Sequence, residues 1–457
     1  MLLVLRNPAY RRLFTAQVVA LAGTGLATVA LGLLAHDIAG AGAGSVLGTA
    51  LAIKMVAYVT VAPLVGAFAG RLPRRALMAG ADLVRAAAAL ALPFVDQVWQ
   101  VYVLILLLQS ASAAFTPVFQ AVVPEVLPAE RDYTRALSLS RLAYDAESLL
   151  SPALAAVLLS LVGHDRLFLG TAAGFLASAA LVVSTALPKP LAAAGPRTGR
   201  TRAGAAAGTR RFLAVPRLRA LLALDLAVAA AGATVTVNSV VYVREHLGRG
   251  AADVALALGA YGGGSAAVAL LLPRVLDRVR DRAVMLCGAL LLPPVFAGLG
   301  AVTAAGDGGW RWPALLLAWA AFGAACSAVL TPTGRLIHRS VRPEERTAAF
   351  AAQFSLSHGC WLLTYPLAGW LGATAGLGSA VLALGAVALA GALLATRLWP
   401  PADPDVAAPA PAPPLAGHEH EHTGLREGHP HLVDAVRVRG GWRHRHPFLA
   451  DGLHPHR

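Results

Sequence analysis

Charge is scarce in this chain. Only 14% of its 457 residues are Asp, Glu, Lys or Arg, 57% are hydrophobic, and the mean hydropathy is +0.63. That balance excludes a string of water-soluble domains, in which about a quarter of residues are charged. Cysteine is scarcer still. Cys287, Cys326 and Cys360 all fall in apolar stretches and supply no disulfide framework. No alternation of apolar and polar residues of the barrel type recurs, so a membrane β-barrel is excluded. There is no P-loop and hence no ATP-hydrolysing site. A cleavable secretory signal is missing too: Arg6, Arg11 and Arg12 precede an apolar run to about Leu34, which is too long for a signal core and reads as a first membrane helix.

What is present is a succession of apolar segments of about 20 residues, each long enough to cross a hydrocarbon core. They predict an all-α polytopic membrane protein with twelve helices in two six-helix halves, near 12–36, 46–69, 76–96, 99–119, 135–162, 167–187, 219–243, 252–272, 283–304, 312–332, 347–373 and 378–397. The expected organisation is an N-terminal half (1–187), a basic Gly/Ala-rich linker (188–218), a C-terminal half (219–398), a Pro/Ala-rich semi-rigid spacer (399–417) and a His-rich tail (418–457). The formal charge of +14 does not form a nucleic-acid surface. Arginines crowd into alternate loops: Arg71, Arg74 and Arg75; Arg131 and Arg135; Arg197 to Arg219; Arg274 to Arg282; Arg335 to Arg346. The loops between hold few, with Arg166, Arg244, Arg249 and Arg311 as exceptions. By the positive-inside rule both termini are cytoplasmic. The expected setting is the bacterial cytoplasmic membrane, the lipid bilayer is the expected partner, and the expected state is a monomer.

The halves echo each other. Thr116-Pro117 recurs as Thr331-Pro332, Glu130-Arg131 as Glu345-Arg346, and Leu137-Ser-Leu-Ser-Arg141 as Phe354-Ser-Leu-Ser-His358. Two six-helix repeats about a central site are a common plan of secondary transporters. Between the second and third predicted helices, Gly66, Arg71, Arg74 and Arg75 follow the spacing Gly-x-x-x-Asp-Arg/Lys-x-Gly-Arg/Lys-Arg/Lys, with Gly70 in the acidic position and Pro73 in that of the second glycine. A second copy after the eighth helix keeps Asp277, Arg278 and Arg282. These loops resemble the major facilitator superfamily, over roughly residues 8–398, and the resemblance implies a conformational latch at both loops. Within it, Phe115-Thr-Pro-Val-Phe-Gln120, Ala136-Leu-Ser-Leu-Ser-Arg-Leu-Ala-Tyr-Asp145-Ala-Glu147 and Phe354-Ser-Leu-Ser-His-Gly-Cys-Trp361 resemble its nickel-resistance exporters, a branch with a His-rich C-terminus. Related branches export siderophores and macrolides.

Ionisable residues inside spans are costly and mark functional positions by default. Arg141 and Asp145 stand four apart on one face of the fifth helix and can pair. Glu147 is rotated away by about 200° and need not share their cavity. Two readings stand: a substrate and proton pathway through Arg141, Asp145 and Glu147, or ion pairs that hold helices together. His358 matches Arg141 in the repeat, and Cys360 two residues on does not share its face, so the two are not expected to chelate one ion. Asp225 and Asn238 join this list, Asp225 as a helix-packing or gating group near the inner face and Asn238 as a helix–helix hydrogen bond. Asp82 and Arg85 read as a local pair, and Lys54 as a side chain snorkelling to the outer interface. Glycines at Gly259 and Gly262–Gly264 permit close, movable helix contacts.

The tail holds nine of the fourteen histidines: His418, His420, His422, His429, His431, His444, His446, His454 and His456. In extended chain, residues i and i+2 point to one side, so each pair offers two imidazoles to one transition metal. No cofactor is expected beyond that metal. A carboxylate or His that loses a proton to bind metal gives proton/metal exchange. The leading expectation is therefore export of a divalent transition metal, nickel or cobalt, from the cytoplasm by proton antiport. The alternative is efflux of an organic compound, with the tail as metal buffer or sensor.

Overall fold

The computed structural model describes residues 2–39, 43–68, 72–159, 164–187, 201–400, 418–422, 436–438 and 441–446. The first half contains α1 (Pro8–Ala39), α2 (Ala43–Phe68), α3 (Arg74–Ala91), α4 (Val98–Val126), α5 (Glu130–Leu159) and α6 (His164–Ser184). A short helix, α7 (Thr201–Ala214), lies within the connection between the halves. The second half contains α8 (Pro216–Val240), α9 (Ala251–Leu276), α10 (Asp281–Ala304), α11 (Arg311–Leu330), the short α12 (Thr333–Ser340) and the long α13 (Arg346–Leu398).

Ten stretches of the described residues are long and apolar enough to cross a membrane. They reconcile with the twelve expected spans in two steps. The stretch containing α13 covers two spans, because Gly376 interrupts the helix with φ +84°, a conformation that glycine adopts without steric cost. The fifth span is not one of those ten, yet α5 runs unbroken beside α1 and α9. Its intramembrane charges have found partners, which is the condition for keeping them there. Departures from the expected bounds are local. α4 runs on to Val126 through Pro117 and Pro124, and α8 continues as one π-helical turn, Val241–His246.

Each half packs as its own bundle. In the first, α1 lies against α6 and α5, α2 against α4, and α3 against α4 and α6; in the second, α9 and α10 flank α11, and α8 is clasped by α13. The most buried of the described membrane-length helices is α8, whose run Ala229-Ala-Ala-Gly232 lets its neighbours close in. The halves meet chiefly through two helix pairs, α5 with α9 and α2 with α13, and α4 also touches α13. In the sixfold repeat the two chief pairs are the second and fifth spans of each half, so the seam repeats the internal symmetry. Gly66 shows how close the seam is: a Cβ there would come within 2.8 Å of the Ala351 Cβ. Of the glycines expected to permit close contact, Gly264 does so, since a Cβ would meet the Ala320 carbonyl of α11, whereas nothing lies near Gly259 or Gly263.

Residues 404–457 form a separate unit. Here the chain departs from an all-α fold. β1 (His418–His422), β2 (Val436–Val438) and β3 (Gly441–His446) form an antiparallel sheet of order β1-β3-β2. The expected spacer lies outside the described residues, as do His429, His431, His454 and His456, and Arg71 of the first loop.

Candidate functional site

The charged residues of α5 divide between two neighbours, as their helical phase requires. Arg141 and Asp145 face α9. The Arg141 Nη2 is 2.7 Å from Asp145 Oδ1, Arg141 Nε donates to Ser265 Oγ at 3.1 Å, and Ser265 Oγ donates to Asp145 Oδ2 at 2.6 Å. The three side chains close a ring across the seam, and Tyr261 of α9 and Cys326 of α11 stand beside the guanidinium. Asp145 is buried and Arg141 nearly so. A pair made this way is satisfied on both partners, so its charges are held without a bound ion.

Glu147 faces the other way, toward α2. Lys54 is its charged neighbour and lies 5.7 Å above the Tyr58 ring. Lys54 therefore points inward, and snorkelling to the outer interface does not describe it: a carboxylate and an aromatic face at its own depth offer the ammonium a nearer partner. Tyr58 donates to Gln109 Oε1 at 2.9 Å and packs on Phe354 and edge-on to His358 of α13, with ring centroids 4.9 and 4.7 Å away. A carbonyl only accepts, so the 2.6 Å contact between His358 Nδ1 and the Phe354 oxygen places the proton on Nδ1. The Nε2 atom remains the ring's acceptor. Tyr144, beside Gln17, Tyr58 and Glu147, keeps 38% of its surface accessible in mid-helix. Lys54, Tyr58, Glu147 and His358 are likewise only half-buried. Neighbouring helices approach these side chains yet leave part of each surface accessible.

The remaining candidates lie elsewhere. Cys360 turns from His358 toward Asp225 of α8, in keeping with their different faces. Asp225 is buried, and Gln353 of α13 donates to it from Nε2 at 2.8 Å. Asn238 is buried near Gly372, with no partner for its Nδ2 among the described residues. His358, Cys360, Asp225 and Asn238 thus do not converge with Arg141 and Asp145 on one point. Among the described residues, no group of three or more His, Cys, Asp or Glu is placed to hold a metal ion.

The arginine-rich end carries a second network. Glu130, in the first turn of α5, forms ion pairs with Arg335, whose Nε lies 2.7 Å from its Oε1, and with Arg339. Asp281 of α10 takes the same two arginines at 3.2 and 3.0 Å, and Arg335 also donates to Thr134 at 3.2 Å. Asp277 of the second loop copy pairs with Arg131 at 3.4 Å. Arg278 is exposed and Arg282 half-buried. In the first loop copy, which lacks the acid, Arg74 bonds Glu125 and Arg75 donates to the Thr185 carbonyl at 2.6 Å, both within the first half. The second copy ties the two halves together by charge through Asp277 and Arg131.

In the tail, the register sets His418 opposite His446 and His420 opposite His444. With a period of two, these four positions share one sheet face, while Glu419 opposite Arg445 and Glu421 opposite Arg443 fall on the other.

The profile of the Major Facilitator Superfamily matches residues 13–248 and 222–449. The chain belongs to that superfamily. As a member, it is a multi-pass membrane transporter and not an enzyme. It is 32% identical to macrolide efflux protein A of Streptococcus pyogenes over 124 residues, 26% of this chain and 30% of that one. It is 28% identical to macrolide efflux protein A of Enterococcus faecalis over 153 residues, 31% of this chain and 47% of that one. The matched stretches span less than half the length of these relatives. In fold, the superfamily member resembles the human organic anion transporter MFSD10 (TETRAN; TM-score 0.72, 16% identity). It also resembles a bacterial homologue of the iron transporter ferroportin in its outward-facing state (TM-score 0.70, 14% identity). Each comparison covers 85% of this chain and 99% of the other.

Sequence reasoning identified the α5 charges but missed Ser265, Tyr261, Tyr58, Gln109 and Gln353. Neutral polar residues in apolar helices carry no signal of their own. Their role lies in partners more than 50 residues away, as with Ser265 and Asp145.

Proposed function

We propose that the protein exports an organic, amphipathic compound from the cytoplasm in exchange for protons. The observation that carries this reading is the partly accessible lining of Tyr58, Tyr144 and His358, packed on the buried Phe354, with Lys54 and Glu147 among them. Aromatic walls with a few fixed charges suit an organic cargo, which they bury and orient. A bare divalent ion needs converging ligands, and none converge among the described residues. The macrolide efflux relatives support the same direction and cargo class. With the positive-inside rule placing the arginine-rich end in the cytoplasm, Glu130, Arg335, Arg339 and Asp281 act as the cytoplasmic latch, closed here. Glu147 is the first candidate for the exchanged proton, because it stands in that lining with one cationic neighbour. The test is uptake into inside-out vesicles under a proton gradient, with macrolides and fluorescent organic cations as probes. Gradient-driven accumulation that Glu147→Gln abolishes supports the reading. No accumulation of any organic probe, beside gradient-driven accumulation of nickel or cobalt, overturns it.

The second reading, export of nickel or cobalt, is favoured by one observation: the register that brings two His-x-His pairs onto one face of the tail sheet. Four imidazole positions there suit a transition metal better than a single pair. In this reading the tail captures metal and the bundle carries it. Growth under nickel, cobalt and macrolide challenge, with and without the gene, separates the two.

A further inference from the structure

Asp225 is a carboxylate in α8, the most buried of the described membrane-length helices, and among the described residues no cation pairs with it. It is 3% exposed, and its one polar partner among the described residues is Gln353, itself 7% exposed. The Gln353 Nε2–H satisfies Oδ2, but two acceptors in this contact are left without a donor, Asp225 Oδ1 and Gln353 Oε1. Two facing acceptors and one donor make an incomplete pair, and burial makes each orphan costly. A single proton on the Asp225 carboxyl resolves both faults. It removes a buried, unpaired negative charge and supplies the donor that Gln353 Oε1 lacks, so that acid and amide bond each other twice.

Other ionisable groups on the helices around α8 are engaged elsewhere. Arg335 and Arg339 of α12 and Asp281 of α10 belong to the latch, Arg211 of α7 pairs with Glu345, and Tyr261 of α9 and Cys326 of α11 stand by Arg141. On α13, the Cys360 thiol is the ionisable group that stands near Asp225. None of these neutralises the carboxylate.

The position of Gln353 gives the proton something to control. The next residue, Phe354, packs on Tyr58, and the one after, Ser355, donates from Oγ to the Val59 carbonyl at 2.6 Å. Three consecutive residues of α13 thus grip α8 within the half and α2 across the seam. An ionised Asp225 would be drawn toward water, loosening its hold on Gln353 and with it the face of α13 that closes the seam.

We propose that Asp225 is a proton-binding site, filled while α13 is packed against both α8 and α2, and emptied when that packing opens. The site is independent of the cargo; it deepens the proton-exchange reading by adding a carrier in the second half, but its occupancy is read without transport. The experiment is infrared spectroscopy of the purified, full-length protein in lipid, as a difference between parent and Asp225→Asn. A protonated-carboxyl band present in the parent at neutral pH and lost in the variant is the expected result. In Gln353→Leu the same band should shift, because the acid loses its acceptor. Identical carboxyl bands in parent and Asp225→Asn, or an unshifted band in Gln353→Leu, overturn the proposal. Thermal unfolding in detergent gives the coupling. The parent should lose stability as the pH is raised, whereas Asp225→Asn, whose amide imitates the protonated acid, should lose that part of the dependence. The same pH dependence in both proteins would refute the link between the proton and the packing of α13.

Discussion

Two carboxylates are buried at comparable depth in the two halves, and their surroundings could hardly differ more. Asp82 of α3 bonds Arg85 on its own helix and accepts from Ser178 of α6 at 2.7 Å, while the Arg85 guanidinium lies between the Phe115 and Phe175 rings, 4.6 and 4.5 Å from their centroids. Asp225 of α8 has, among the described residues, one hydrogen-bond partner, the Gln353 amide, and no cationic one. The first arrangement sets charge against charge and holds α3 to α4 and α6, although Arg85 Nε has no acceptor among the described residues. The second is complete in only one protonation state. Burial alone therefore does not mark a functional acid; a missing countercharge does.

The sharpest way to break that contrast is to neutralise each acid in turn. Asp82→Asn strands the Arg85 charge between two rings and should cost about 3–5 kcal/mol of stability. Asp225→Asn should stay within about 1.5 kcal/mol of the parent, because it removes no charged partner. Unfolding of both variants in the same detergent measures the gap, and equal losses would erase the distinction.

A smaller effect is expected at the α5–α9 ring, where charge is both paired and on the same helix as Glu147. Asp145→Asn leaves Arg141 beside Ser265 and Tyr261 with no carboxylate, and should cost about 1.5–3 kcal/mol. Vesicle transport should fall on the order of tenfold, the kinetic equivalent of about 1.4 kcal/mol. Undiminished transport by a stably inserted variant would make the ring a structural clasp alone.

At the latch the change should be smaller again. Glu130 is half exposed, so its two arginine contacts are screened, and Glu130→Gln should shift the balance between closed and open arginine-rich ends by about 1 kcal/mol or less. Crosslinking of cysteines placed across that end would report a several-fold loss of the closed form; an unchanged yield would show that Asp277 and Arg131 suffice.

The least effect on transport is expected from removing residues 415–457. The tail can concentrate metal near the membrane but cannot carry it across. Resistance should weaken while transport continues, and a complete stop in vesicles would make the tail part of the pathway.

The twelve spans were legible because each carries its own signal, an apolar run of membrane length. So was the division of α5, since Arg141, Asp145 and Glu147 fall on faces fixed by the helical repeat. What escaped notice was always a partner. Lys54 looked like an interfacial lysine until Tyr58 and Glu147 stood beside it, and Gln353 was one polar residue among many until it met Asp225. The tail shows the same limit: extended His pairs follow from the sequence, but the matching of His418 with His446 depends on a ladder that links positions 28 residues apart. The internal repeat pointed to both loops, yet did not reveal that Arg74 and Arg75 of the first copy, which lacks its acid, bond within their own half.

The connection between the halves is more than a tether. α7 lies against α2 on one side and α13 on the other, with Gly208 close to Ala348 and Arg211 paired with Glu345 at 2.6 Å. It therefore sits like a strap over the very seam that must part. Each cycle has to lift this strap from one half before the arginine-rich end can gape, so the connection contributes to the tempo of turnover as well as to its reach. A chain that kept every residue that meets the cargo but lost the grip of α7 would bind that cargo as before and simply keep different time.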